Sequence, residues 1–60
     1  MQGKVKWFSH KKAYGFILGE DGNDYFVHLT DCRKEPVEGQ DATFEPSKGA
    51  KGLAAKNVEV

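Results

Sequence analysis

Hydrophobic and polar positions alternate with a period of two over short stretches of this chain, and no stretch of ten or more residues keeps a convincing helical period. Between Tyr14 and Leu18 the alternation puts Tyr14, Phe16 and Leu18 on one side and Gly15 and Ile17 on the other. Between Tyr25 and Leu29 it sets Phe26 and His28 against Tyr25, Val27 and Leu29. Seven glycines punctuate runs rich in Val, Ile, Phe, Tyr and Trp, the pattern of a small all-β domain. Strands are predicted over about Gly3 to Phe8, Tyr14 to Leu18, Tyr25 to Leu29, Asp41 to Glu45 and Leu53 to Val58. Ser9 to Lys12 turns the chain, and so does Ser47 to Gly52. Glu20-Asp21-Gly22-Asn23 forms a hairpin connection, because Asp and Gly tolerate the positive φ of tight turns. Thr30 to Gly39 is a polar connection in which Pro36, lacking a backbone donor, disfavours a central strand.

The same alternation separates core from surface. Ile17 and Val27, with Val5, Val37, Val58, Phe44 and Leu53, are expected to fill a small barrel, which leaves Tyr14, Phe16, Phe26 and His28 outside. A single aromatic on a strand is more often core than ligand platform. Burying both faces of this hairpin, however, would need a second covering layer, and no helix or spare sheet remains to supply it. Three rings and a histidine facing water make an exposed apolar patch of the kind that marks a binding site, and flat rings on a strand face are where unpaired bases stack. Trp7 is ambiguous. Parity places it inside with Val5, and it reaches the patch only where a bulge or the strand's end turns it outward.

Size and charge narrow the picture. Sixty residues make one domain, residues 1–60, that buries only roughly 60% of its unfolded surface, so its stability is expected to be marginal. One cysteine allows no internal disulfide, and no targeting segment or membrane span is evident, so a soluble, reduced, cytoplasmic protein is expected. Nine basic and nine acidic side chains cancel, which argues against a simple polycation. Their distribution is uneven. Lys4, Lys6, Lys11 and Lys12 precede every acid, while eight of the nine acids lie between Glu20 and Glu45, so a local positive field is expected beside the rings.

Gly3-Lys4-Val5-Lys6-Trp7-Phe8, then Lys12-Ala13-Tyr14-Gly15-Phe16-Ile17, Asp21-Gly22, Phe26-Val27-His28, Glu38-Gly39-Gln40 and Asn57-Val58 together resemble a bacterial cold-shock domain over essentially the whole chain. The resemblance implies a five-stranded antiparallel OB-type Greek-key barrel that binds single-stranded RNA and DNA, often described as an RNA chaperone. It also implies site residues. Tyr14 and Phe16 match the first aromatic motif, RNP1, and Phe26 and His28 the second, RNP2. Trp7 matches the tryptophan of the first strand, which suggests that it faces the ligand. Lys6 and Lys12 match lysines beside the strand, Asp24 matches an acid near the base edge or else caps a turn, and Lys51 stands where many members have arginine. An RRM would need two helices and would place its RNP2 first.

The chain also departs from the family. Ala13 replaces the usual RNP1 glycine, Ser9 a common asparagine and Leu29 a common phenylalanine. The connection after the third strand is several residues shorter than usual, with no aromatic between Leu29 and Phe44, so one or two stacking platforms are expected to be lost. No catalysis, cofactor, metal or small-molecule substrate is expected. His28, Cys32 and His10 match no zinc spacing and have no third oriented partner, and no phosphate-cradling glycine loop is present. Cys32 reads as an ordinary loop thiol and His10 as a solvated turn residue. A monomer is expected. The alternative is a protein interaction module, or a dimer exchanging its last two strands, that uses the same rings.

Overall fold

A computed structural model describes residues 1–49 and 52–60. Its strands are β1 (Gln2–Ser9), β2 (Tyr14–Gly19), β3 (Asp24–His28), β4 (Asp41–Gly49) and β5 (Gly52–Glu59), with a 3-10 turn at Leu29–Asp31. They close an all-β barrel in the order β1-β2-β3-β5-β4. The pairings are antiparallel except where β3 meets β5, a parallel contact at Phe26 and Ala54.

The barrel is filled from one face of each strand, by Val5, Ile17, Tyr25, Val27, Ala42, Phe44, Ala55 and Val58. Leu53 is half-buried against this cluster. Val37, expected inside, is instead 58% exposed. Its neighbour Pro36 occupies the interior. Val37 then turns outward in a tight bend, where its N–H donates to Gln40 Oε1 and its carbonyl accepts from the Gln40 N–H. His10 is more than a solvated turn residue, because its Nε2 donates to the Pro36 carbonyl at 3.0 Å and its ring lies 5.3 Å from that of Phe8. The short connection is therefore held from both sides, since the Gly39 N–H donates to the Val5 carbonyl and the Val5 N–H to that of Gln40.

Most strand ends lie within one residue of the sequence-based expectation, and two of the differences have a clear physical cause. Leu29 begins the 3-10 turn and does not extend β3, because His28 Nδ1 accepts the Thr30 N–H and caps the turn. β4 continues through Pro46, Ser47 and Lys48 to Gly49. Beyond Phe44 it pairs only with β5, so Pro46 sits in a strand with an open edge, where a missing N–H is tolerated.

The turn from β1 to β2 carries backbone strain. Ala13 has φ of 61°, in the left-handed region that costs an L-residue about 1–2 kcal/mol. Glycine relieves that strain and returns part of the gain through a more flexible unfolded chain. Ala13→Gly is therefore expected to stabilise the fold by about 0.5–1 kcal/mol in urea denaturation. An unchanged or lower midpoint would show that the turn carries no strain.

Candidate nucleic-acid interface

The register of β1 against β2 decides where Trp7 points. Val5 lies opposite Ile17, but Trp7 lies opposite Phe16, so Lys6 is an extra residue in β1. This bulge shifts parity by one, keeps Val5 inside and turns Trp7 out, 36% exposed. Gly15 makes the close approach possible, because a Cβ there would fall on the Trp7 carbonyl and on Phe8 Cα. Phe8, next along β1, packs half-buried against the core.

Four rings meet on the outer face of β1, β2 and β3. Trp7 lies 5.6 Å from Tyr14 and 5.6 Å from Phe16, while Phe26 lies 5.6 Å from Tyr14 and 5.8 Å from Phe16. These are edge or tilted contacts that hold each ring in place and leave part of its face to solvent. His28, opposite Tyr14 in register, is exposed at the end of the group. Its Nδ1 faces the Thr30 N–H at 3.3 Å and Thr30 Oγ1 at 3.0 Å.

Charged groups border the rings. Lys6 Nζ and Asp24 Oδ2 form an ion pair of 3.2 Å, both side chains about half exposed. Since β2 separates β1 from β3, the pair runs over β2, with Asp24 level with Leu18. Lys12 is exposed in the β1–β2 turn, its backbone N–H donating to Ser9 Oγ. Lys51 lies outside the described residues. Leu18, absent from the expected site residues although parity put it on this face, is 44% exposed.

The remaining candidates for chemistry are occupied elsewhere. Cys32 Sγ points to the His28 carbonyl at 3.6 Å and not to its imidazole. Burial, with the Asp31 carboxylate second, pushes the thiol above its ordinary pKa and so makes it a poor nucleophile. Asp21 accepts the Tyr25 hydroxyl at 2.6 Å, which holds its carboxyl below the usual range and ties the β2–β3 hairpin to the core. Among the described residues, no three His, Cys, Asp or Glu side chains are placed to hold a metal ion, and no helix is long and apolar enough to cross a membrane.

The closed five-stranded barrel is the architecture of small OB-type domains, and comparison with known proteins gives the family. The family model for the 'Cold-shock' DNA-binding domain matches residues 1–60. The chain is 52% identical over 60 residues to cold shock protein 1 of Lactiplantibacillus plantarum, covering 93% of this chain and 91% of that protein. It is 48% identical over 62 residues to cold shock-like protein CspC of Bacillus cereus (97% and 95% covered) and 47% over 64 residues to a cold shock-like protein of Thermotoga maritima (100% and 97% covered). The chain belongs to the cold-shock domain family, whose members bind nucleic acid and are not enzymes. The Thermotoga alignment has 64 positions for the 60 residues of this chain, so that relative carries at least four residues that this chain lacks.

Proposed function

We propose that the outer face of β1–β3 binds single-stranded RNA and DNA by stacking unpaired bases on Trp7, Phe16, Phe26 and His28, with Tyr14 bracing the group. The observation that carries this reading is the closed circuit of four outward rings in a family defined by DNA binding. Lys6, Lys12 and Lys51 neutralise phosphates, and Asp24 reads a base edge. Every base has a π-face, so sequence preference is weak; paired bases do not offer theirs, so duplex binds poorly. Holding transient single strands shifts a structured RNA toward its open form by mass action, which is the work of an RNA chaperone in the cytoplasm. The unit that does this is a single domain of residues 1–60, acting as a monomer.

Stacking at four groups contributes roughly 4–12 kcal/mol gross. Association and ordering cost about 4–15 kcal/mol, so affinity on the order of micromolar is expected. Lysines enough for two or three phosphates give a log–log salt slope of roughly −1.5 to −2. Lys6 contributes at the low end, since it must share or leave Asp24. Titrating an oligothymidine at several salt concentrations tests this. A slope steeper than about −4 would show that charge, not stacking, carries binding.

A further inference from the structure

We propose that the Thr30 hydroxyl is a positioning group that holds the His28 imidazole ready to stack, and the proposal rests on the base-stacking reading of the rings. Trp7, Tyr14, Phe16 and Phe26 brace one another through edge and tilted contacts of 5.6 to 5.8 Å. His28 has no such support. It is the last residue of β3, it is exposed, and among the described residues its ring packs against no other ring. An exposed side chain left free to rotate loses part of its binding energy to ordering when a base settles on it. A group that orders the ring beforehand removes that loss.

Thr30 does so from a fixed position. Its Oγ1 lies 3.0 Å from His28 Nδ1, and its backbone N–H donates to the same nitrogen at 3.3 Å. The hydroxyl takes either role, donating to a bare Nδ1 or accepting from a protonated one, so its contact does not depend on which ring nitrogen carries the proton. A bond at Nδ1 lies in the ring plane, so it holds the imidazole by its edge and leaves both faces to a base. The turn that carries Thr30 is held in turn by its backbone. The Leu29 N–H donates to the Ala13 carbonyl at 2.8 Å, the Cys32 N–H to the Leu29 carbonyl at 3.0 Å and the Arg33 N–H to the Val58 carbonyl at 3.1 Å. These bonds tie it to the β1–β2 turn and to β5, so the hydroxyl is a fixed point. Its role is also separable from the fold, because the Thr30 N–H caps the turn while the hydroxyl bonds only the ring among the described residues.

The test is a double-mutant cycle read by Trp7 fluorescence during titration with a short oligothymidine, each variant first shown to be folded by circular dichroism. Thr30 is exposed, so substitutions there leave the core intact. Thr30→Val keeps the shape and the backbone N–H but removes the hydroxyl, and is expected to weaken binding about two- to tenfold. Thr30→Ser keeps the hydroxyl and is expected to bind like the wild type. In a His28→Ala background, Thr30→Val is expected to have no further effect. Wild-type affinity in Thr30→Val, or equal weakening by Thr30→Val and Thr30→Ser, would overturn positioning by the hydroxyl. The same loss with and without His28 would also overturn it, because Thr30 would then act on the ligand or the fold directly. If His28→Ala itself left affinity unchanged, the imidazole would not be a platform, and the base-stacking reading would fail at that residue and the proposal with it.

Discussion

Replacing Phe16 and Phe26 together by Ala is expected to lower affinity for a short oligothymidine about thirtyfold or more while leaving the barrel folded. The two rings lie opposite each other in register, their centroids 5.8 Å apart, at the centre of the outer face. Each stacked base is worth about 1–3 kcal/mol, and each 1.4 kcal/mol is tenfold in affinity, so losing two platforms removes roughly 2–6 kcal/mol. The fold should survive, because the eight buried apolar residues lie on the opposite face of the sheet and none is altered. Circular dichroism and a thermal melt establish that the double variant is folded. Unchanged binding by a folded double variant would mean that the rings are not the platform.

Phe44→Ala is expected to remove most of the stability of the domain, whereas Val37→Ala should cost less than about 0.5 kcal/mol. Phe44 is a fully buried side chain, 5.0 Å from the ring of Tyr25. Its backbone also closes the barrel, since its carbonyl accepts the terminal ammonium of Met1 at 2.6 Å and its N–H donates to the Met1 carbonyl at 2.8 Å. Truncating a buried phenylalanine costs about 3–5 kcal/mol. A domain of this size has about 3–9 kcal/mol in total. Urea denaturation of the two variants measures the contrast. A large loss in Val37→Ala and a small one in Phe44→Ala would put the core elsewhere.

Both expectations depend on which parts of the fold a period-two pattern can reveal. Alternation in β2 and β3 was enough to put Ile17 and Val27 inside and Phe16 and Phe26 outside, because each strand has one buried face and register slips would invert it. Trp7 defeated parity for a physical reason. The extra residue at Lys6 is a property of the β1–β2 pairing and leaves no trace in the local pattern, and only the family resemblance suggested that this ring faces outward. Val37 looked like a core residue by type, but Pro36 took the interior position and the bend to Gln40 turned Val37 out.

The Lys6–Asp24 pair joins residues eighteen apart in sequence, on strands separated by β2, so its formation depends on a register that composition cannot supply. The extension of β4 past Pro46 was hidden likewise, since proline signals a strand's end unless an open edge is known to be there. Ala13 was visible as a departure from a glycine, and its φ of 61° shows why a glycine suits that turn.

The most direct measurement is Trp7 fluorescence during titration with a short oligothymidine, with a matched duplex as control. Trp7 touches both Tyr14 and Phe16, so a base stacking on this face changes its environment. Saturable quenching by the single strand at micromolar concentration, and none by the duplex, is the expected result. No change up to high micromolar single strand, in protein shown to be folded, would contradict base stacking on this face.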